Sequence, residues 1–320
     1  MDANLFIYKY QPLFLKDFEI ESSLTGVLET LIKMNSVNVM LIGDMGSGKT
    51  SLLNSIIREY YKGYGPNEYH DNILHINSLK EQGINYYRND VKTFCQTSSY
   101  IKNKKKFVVL DDVDFINEQS QQVFRNYIDK YSHNVHFIAS CNNIQKVIES
   151  LQSRFTIIKI KSLARKSLLK ILHKIRSSEN IEIEEEAIPF ILDVSNNTAK
   201  ILINYMEKFK LLNQPITLQL ANLVCTNISF TTFEHYTKCI LDKNINEAIS
   251  ILYSIYDKGY SVMDILDNYF LFVKTTAILT EDQKYTVIPY ICKYITIFHN
   301  IHEDEIELAL FSNNLILNIC

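Results

Sequence analysis

The 320-residue chain has no tryptophan, only five prolines and only eight glycines. That scarcity excludes collagen-like and Pro/Gly-rich disordered classes. No run of about 18 apolar residues occurs, which argues against a membrane span. The opening "MDANLFIYKYQP" lacks the charged-then-apolar layout of a secretory signal. The six cysteines (Cys95, Cys141, Cys225, Cys239, Cys292, Cys320) form no CxxC pair. This reads as neither a disulfide framework nor a zinc site and fits a reducing, intracellular compartment. Strong basic charge is missing too. The formal net charge is −3, so any DNA contact is local or assembled from several subunits.

What is present is an ordinary globular composition, 47% hydrophobic and 22% charged, in a chain long enough for two or three buried cores. Enrichment in Asn, Ile, Lys and Tyr points to an A+T-rich genome. From Val37 to about Ile160, short β-branched runs ("VNVMLIG", "NILHIN", "KFVVLDD", "VHFIAS", "FTIIKI") alternate with helical patterns. That alternation predicts a parallel sheet with helices on both faces. After Ser162 the helical period takes over. In "SLLKILHKIR", Leu168, Leu172 and Ile175 share one face, and a second helical pattern runs from about Glu185 to Leu212. The polar break "CTNISFTT" follows. Beyond it "NINEAISILYSIYDKGYS" is helical, Gly259 is placed as a C-terminal cap, and Ser261 with Asp264 makes an S-x-x-D start.

"GDMGSGKT", Gly43 to Thr50, fits G-x-x-x-x-G-K-[ST] between an apolar strand and a helical pattern. Glycines let successive backbone amides curl around phosphates, and the following helix adds its positive end. Gly43, Asp44, Met45, Gly46, Ser47, Gly48, Lys49, Thr50 and Ser51 are the candidate ATP-binding residues. Lys49 is expected to reach the β- and γ-phosphates and Thr50 to offer its hydroxyl to Mg²⁺. In such proteins a second strand ends in an acid for the metal, and Asp111 after "FVVL" is the candidate. Asp112 then either polarises the attacking water or caps the following helix, and Asp114 is an equal candidate for the cap.

Several segments together resemble the small subunits of replication factor C, the AAA+ sliding-clamp loader. "YKYQP" (Tyr8 to Pro12) is similar to the family's N-terminal box, whose Tyr and Pro frame the adenine, which implies roles for Tyr10 and Pro12. "HINSLKEQGINYYRNDVKTF" resembles the N-A-S-D-x-R-G-I stretch, and "LDDVDFINEQSQQVFRNYID" the L-D-E-A-D box with its helix. "IASCNN" resembles the sensor-1 strand end, "LQSRF" the S-R-C box, and "EAISILYSIYDKGYSVMDIL" the collar. The resemblance implies an AAA+ domain over 1–160, a helical lid over 161–224 and a helical collar over 225–320. It implies an ATPase that opens a sliding clamp and loads it on primer–template DNA, within a pentameric ring of loader subunits. Asn142 would be the sensor-1 group and Arg154 a finger completing the neighbouring subunit's site, such fingers being worth on the order of 10³–10⁵ in rate.

The departures from the family pattern are as informative. "NTAK" aligns with the sensor-2 box, so Lys200 keeps the charge but loses the bidentate fork of arginine. Phe155 stands where cysteine is usual, and Gln11 and Gln82 each replace an arginine. Asp112 replaces Glu and is one methylene shorter, so its carboxylate is set back by roughly 1 Å, enough to cost about 10² in rate. The subunit then either compensates through its backbone or hydrolyses slowly and serves as a structural, ATP-binding member. Lys102, Lys104, Lys105 and Lys106 read as a solvated charged turn before a buried strand. The histidines show no ligand spacing. Ile84, Asn85, Tyr86 and Arg88 open the helix expected to track DNA phosphates. "DNYFLFVK" reads as collar packing. A nuclear site and a viral or cytoplasmic replication site are both compatible with these features.

Overall fold

The computed structural model describes residues 5–77, 84–225, 228–298 and 302–319, so Gln82 lies outside the described residues. The five expected strands form: β1 (Val39–Ile42), β2 (Ile73–Asn77), β3 (Lys106–Asp111), β4 (Val135–Cys141) and β5 (Thr156–Lys159). They pair in the order β2-β3-β4-β1-β5, every pair parallel. Covered on both faces, β3 and β4 read as continuous apolar runs, the pattern of central parallel strands. Edge strand β5 buries only Ile158. The pleat sends alternate residues to opposite faces. Phe107 and Val109 pack with Leu52, Leu53 and Ile56 of the helix Lys49–Tyr60, while Val108 and Leu110 pack with Phe124 of the helix Glu118–Tyr131. The register sets Ile42 beside Cys141 and Leu110 beside Ala139. The loops after β1, β3 and β4 therefore emerge together at the carboxyl end of the sheet, where open parallel sheets bind ligands.

The chain divides into two compact units. The first contains residues 1–181 and 197–214. In it the helix Arg165–Glu179 buries Leu168, Leu172 and Ile175, the face expected from the sequence, and packs against the helix Ala199–Leu212. The helical pattern from about Glu185 to Leu212 resolves into two helices, Ala187–Val194 and Ala199–Leu212. Between them Asn196 and Asn197 adopt left-handed backbone, φ 48° and 57°, a conformation asparagine tolerates and a helix cannot continue through.

The second unit contains residues 182–196 and 215–320. Its core is laid down by Phe233, Tyr236, Leu252, Ile265, Tyr269, Phe272 and Phe311 from successive helices. Two phenols buried there are satisfied: the Tyr236 hydroxyl lies 3.0 Å from Ser312 Oγ, and the Tyr269 hydroxyl 3.2 Å from Thr237 Oγ1. Tyr269 and Phe272 of "DNYFLFVK" are core residues. Ser261 accepts from the Asp264 amide at 3.0 Å, making the cap that the S-x-x-D spacing called for.

The lysine cluster before β3 is built into the structure, and only its first member is a solvated charge. Lys102 is exposed. Lys104 Nζ donates to the Tyr60 carbonyl at 2.6 Å and lies over the Tyr60 ring. Lys105 Nζ donates to the Ser132 carbonyl at 2.9 Å. Lys106 is 1% exposed and donates to the Phe94 carbonyl and, at 2.7 Å, to Thr97 Oγ1. Burial holds the Lys106 pKa below the ordinary lysine value. Lys106→Ala removes a buried side chain and two part-buried hydrogen bonds and is expected to destabilise the chain by about 1–3 kcal/mol, whereas Lys102→Ala changes nothing measurable. Chemical denaturation midpoints of the two variants check this.

Candidate nucleotide site

Gly43–Gly48 turn back over the end of β1, and the Gly43 amide donates to the Cys141 carbonyl at 3.4 Å, tying the loop to β4. A Cβ at Gly43 would lie 2.7 Å from the Ile160 carbonyl oxygen, so the backbone leaves no room for a side chain. At Gly46, φ is +74° and a Cβ would meet Thr198 Cγ2 at 2.6 Å. Asp44, Met45 and Gly46 are exposed at the crest of the loop, and Ser51 follows Thr50 inside the first turn of the helix.

Lys49 is 6% exposed. Its ammonium donates to the carbonyls of Gly43 (2.8 Å) and Asp44 (2.9 Å) and to Asn142 Oδ1 (2.8 Å), which uses all three protons. Burial pulls its pKa down, opposed by Asp112 and Asp111. Thr50 Oγ1 lies 3.2 and 3.0 Å from the two oxygens of Asp111. Ser140 Oγ donates to Asp111 Oδ1 at 2.5 Å and accepts from the Asp112 amide at 2.9 Å. Asn142 Nδ2 donates to Asp112 Oδ1 at 3.2 Å. One asparagine at the end of β4 thus links the loop lysine to the second carboxylate of β3.

Asp112 has left-handed backbone, φ 54° and ψ 55°, and its side chain caps nothing. The helix Glu118–Tyr131 is capped by Asn117, which accepts from the Ser120 amide at 2.9 Å. Asp114 accepts from the amides of Asn142 (3.3 Å) and Asn143 (3.2 Å) and so braces the end of β4. Neither acid is the helix cap. Burial, then Asp111 and Asp114, push the Asp112 carboxyl above its ordinary pKa, with Lys49 and Asn142 acting against them.

These residues fit a magnesium–nucleotide complex. Ser47 Oγ is buried in the loop without a hydrogen-bond partner. Thr50 and Asp111 set hard oxygen donors side by side, the donor type Mg²⁺ takes.

A family model described as "ATPase family associated with various cellular activities (AAA)" matches residues 39–163, and one described as "Replication factor C C-terminal domain" matches residues 231–295. The chain joins an AAA ATPase domain to a replication factor C C-terminal domain, and its relatives are replication factor C small subunits. Replication factor C subunit 4 of Saccharomyces cerevisiae is 27% identical over 290 residues, covering 88% of this chain and 86% of that protein. Subunit 4 of Oryza sativa subsp. japonica is 27% identical over 274 residues, 84% and 79% of the two chains. Replication factor C small subunit 2 of Pyrobaculum islandicum is 26% identical over 268 residues, 83% and 82%. Among solved structures, the RuvB Holliday junction branch migration motor of Thermotoga maritima superposes with a TM-score of 0.55 at 15% identity, covering 76% of this chain and 85% of that one. That likeness is one of fold.

The remaining residues singled out from the sequence lie around the loop or apart from it. The Tyr10 hydroxyl donates to Glu179, as does Lys9 Nζ at 2.6 Å. Gln11, where the family has arginine, donates to Ser51 Oγ at 3.1 Å. Pro12 is half-buried beside it. Lys200 is exposed in the first turn of the helix Ala199–Leu212, two residues after the Thr198 methyl that covers Gly46. Arg154 pairs bidentately with Asp129, Nε to Oδ1 at 2.9 Å and Nη2 to Oδ2 at 3.1 Å. Asn85 and Arg88 are exposed, Ile84 and Tyr86 half-buried, on a short helix that passes into a π-turn. Sequence reasoning missed Ser140, Glu179 and Thr198. Ser140 was visible as the polar residue in "IASCNN", but Glu179 and Thr198 carry no local signal.

Ionised Asp112 is disfavoured in the folded chain relative to the unfolded one. Folding is therefore favoured most with Asp112 protonated, and that contribution is lost as pH rises through the carboxylate range towards the raised value. Asp112→Asn, which removes the charge, is expected to melt above wild type at neutral pH without nucleotide. The gap should close as the pH is lowered. Thermal denaturation of both chains across that range tests the sign.

Proposed function

We propose that this chain is the ATP-binding subunit of a clamp loader that opens a sliding clamp and sets it on primer–template DNA, with hydrolysis triggering release. The observation that carries the reading is the convergence of Lys49, Thr50, Asp111, Asp112 and Asn142 within one hydrogen-bonded group, in a chain matched by the replication factor C C-terminal domain. Mg²⁺, when bound, spreads the charge of the phosphates. The protein's part is to hold that cation with Thr50 and Asp111, fix the phosphates with the loop amides and Lys49, and orient water with Asp112. Asn142 positions Asp112 and Lys49 together. Tyr10 and Pro12 flank the adenine, Lys200 extends positive charge towards the phosphates, and Arg154 serves the site of an adjoining subunit.

In this reading residues 1–160 bind nucleotide, 161–224 act as the lid and 225–320 as the collar of a pentameric ring. DNA is held without sequence reading, through backbone contacts such as the segment of Asn85 and Arg88 can make. The ring works in the nucleus or at a viral or cytoplasmic replication site.

The test is reconstitution with the other loader subunits. ATPase activity should rise with clamp and primed DNA, and a monomer indifferent to both would overturn the reading. Lys49→Ala should abolish ATP binding by this chain. Arg154→Ala should leave that binding intact while slowing turnover at the neighbouring site by on the order of 10³ or more.

A second reading, a weakly hydrolysing structural subunit, is favoured by the short reach of Asp112 and by the Asn142 amide that holds its Oδ1. Asp112→Glu combined with Lys200→Arg should then raise turnover by up to about 10². Equal single-turnover rates in wild type and the double variant would dismiss it.

A further inference from the structure

In the second unit, away from the nucleotide loop in sequence, three ligating side chains converge. His235 and Cys239 are one turn apart on the helix Phe230–Leu241, spacing that puts both on one face. The chain reverses through Asp242–Asn244, with Lys243 at φ 59°, and Glu247 lies in the first turn of the helix Ile245–Tyr256. A ring nitrogen of His235, Sγ of Cys239 and a carboxylate oxygen of Glu247 all lie within 4.8 Å of one another. In the sequence the histidines show no ligand spacing, and the want of a CxxC pair argued against zinc. The third ligand comes from the next helix, so only the folded turn reveals the set.

We propose that His235, Cys239 and Glu247 form a binding site for a divalent transition-metal ion, Zn²⁺ being the occupant whose chemistry they match, that clamps the two helices of this hairpin together. Nitrogen, sulfur and oxygen donors in one set suit Zn²⁺, whereas Mg²⁺ and Ca²⁺ take all-oxygen shells. Tetrahedral bonds of about 2.0–2.3 Å require donor atoms roughly 3.3–3.6 Å apart. The present spread closes by rotamer changes of the exposed His235 and Glu247 about the buried Cys239. A water completes the shell, as it does where a protein gives zinc three ligands. Thiolate and carboxylate together neutralise the ion. On binding, the Cys239 thiol gives its proton to solvent and a Zn–S bond replaces the S–H bond, with no change of oxidation state. The Glu247 carboxylate already stands within 4.8 Å of that thiol, so the cation enters between them. Glu247 is already oriented: Asn244 Nδ2 donates to its Oε2 at 2.7 Å, and its amide faces Asn244 Oδ1 at 3.4 Å. A hydrogen bond of this kind to a ligand carboxylate is the outer support metal sites require.

The full chain, stripped with chelator and dialysed, is titrated with Zn²⁺ against a chromophoric competitor. Co²⁺ is used in parallel to read the thiolate charge-transfer band. Wild type should take up one equivalent, show that band and melt at higher temperature with Zn²⁺ but not with Mg²⁺. Cys239→Ser and His235→Gln should each lose more than the about 10–100-fold typical of outer-shell changes, and Asn244→Ala should fall in that range. Both ligand variants should melt with wild type in chelator, which separates metal loss from misfolding, and Lys49→Ala should bind Zn²⁺ as wild type does. Unchanged affinity in Cys239→Ser and His235→Gln would place the binding elsewhere, such as the exposed Cys292, and overturn the proposal. So would absence of Zn²⁺ uptake at micromolar concentration.

Discussion

Asp111, Asp112 and Asp114 gather negative charge at the carboxyl end of β3, and the nucleotide loop is organised around that fact. Lys49 is placed among them, but burial disfavours its charge as well as that of Asp112. The group is held by hydrogen bonds that order the acids without neutralising them: Thr50 and Ser140 on Asp111, Asn142 on Asp112, and two amides on Asp114. A site built this way is costly until a cation arrives, which is the usual relation between stability and function at such places. The Asp111 and Asp112 contacts come from the helix that follows β1 and from the end of β4. Only a parallel sheet whose loops leave at one end can bring them together.

Much of this was legible in the order of residues. Strands buried on both faces are mostly apolar, so the runs within β3 and β4 announce themselves, and the loop glycines stand between a strand and a helix. The Ser261 cap follows from a local spacing. What could not be read depends on the tertiary fold. The apolar period of residues 185–212 continues across a break that only two left-handed asparagines mark. Gln11 looked like the loss of a basic group, and its bond to Ser51 becomes visible only once the N-terminal segment is folded against the loop helix. Lys106 looked solvated because charge suggests surface, yet the Phe94 carbonyl and Thr97 Oγ1 accept from it in the fold. The Asp112 cap, a good local guess, lost to an asparagine five residues further on.

The N-terminal segment has a mechanical part in the first unit. Tyr10 and Lys9 grip Glu179 at the end of one helix, the Phe6 amide donates to Glu207 on another at 3.2 Å, and Gln11 reaches Ser51 beside the loop. Thr198 adds a direct contact, its methyl group seated on Gly46. A ligand shifts a conformational equilibrium only through contacts that differ between states. Gly46 and Ser51 are within or next to the phosphate loop, so movement there is felt by both helices through named atoms.

Arg154 illustrates how a side chain is kept ready without being used up. Its guanidinium is fixed on three sides, by both oxygens of Asp129, by the Ser150 carbonyl at 2.6 Å and by Ser153 Oγ at 2.9 Å. The pair with Asp129 is open to solvent, where an ion pair contributes little. The contacts therefore settle the direction of the fork more than they hold it down. Two oxygens of a phosphate accept the same two-point hydrogen bonding as a carboxylate. In the role proposed above, exchanging Asp129 for a phosphate would replace one bidentate partner by another of greater charge, with the Ser150 and Ser153 bonds retained. An arginine so placed has its orientation established before any neighbour docks, which lysine, with a single rotating ammonium, could not reproduce.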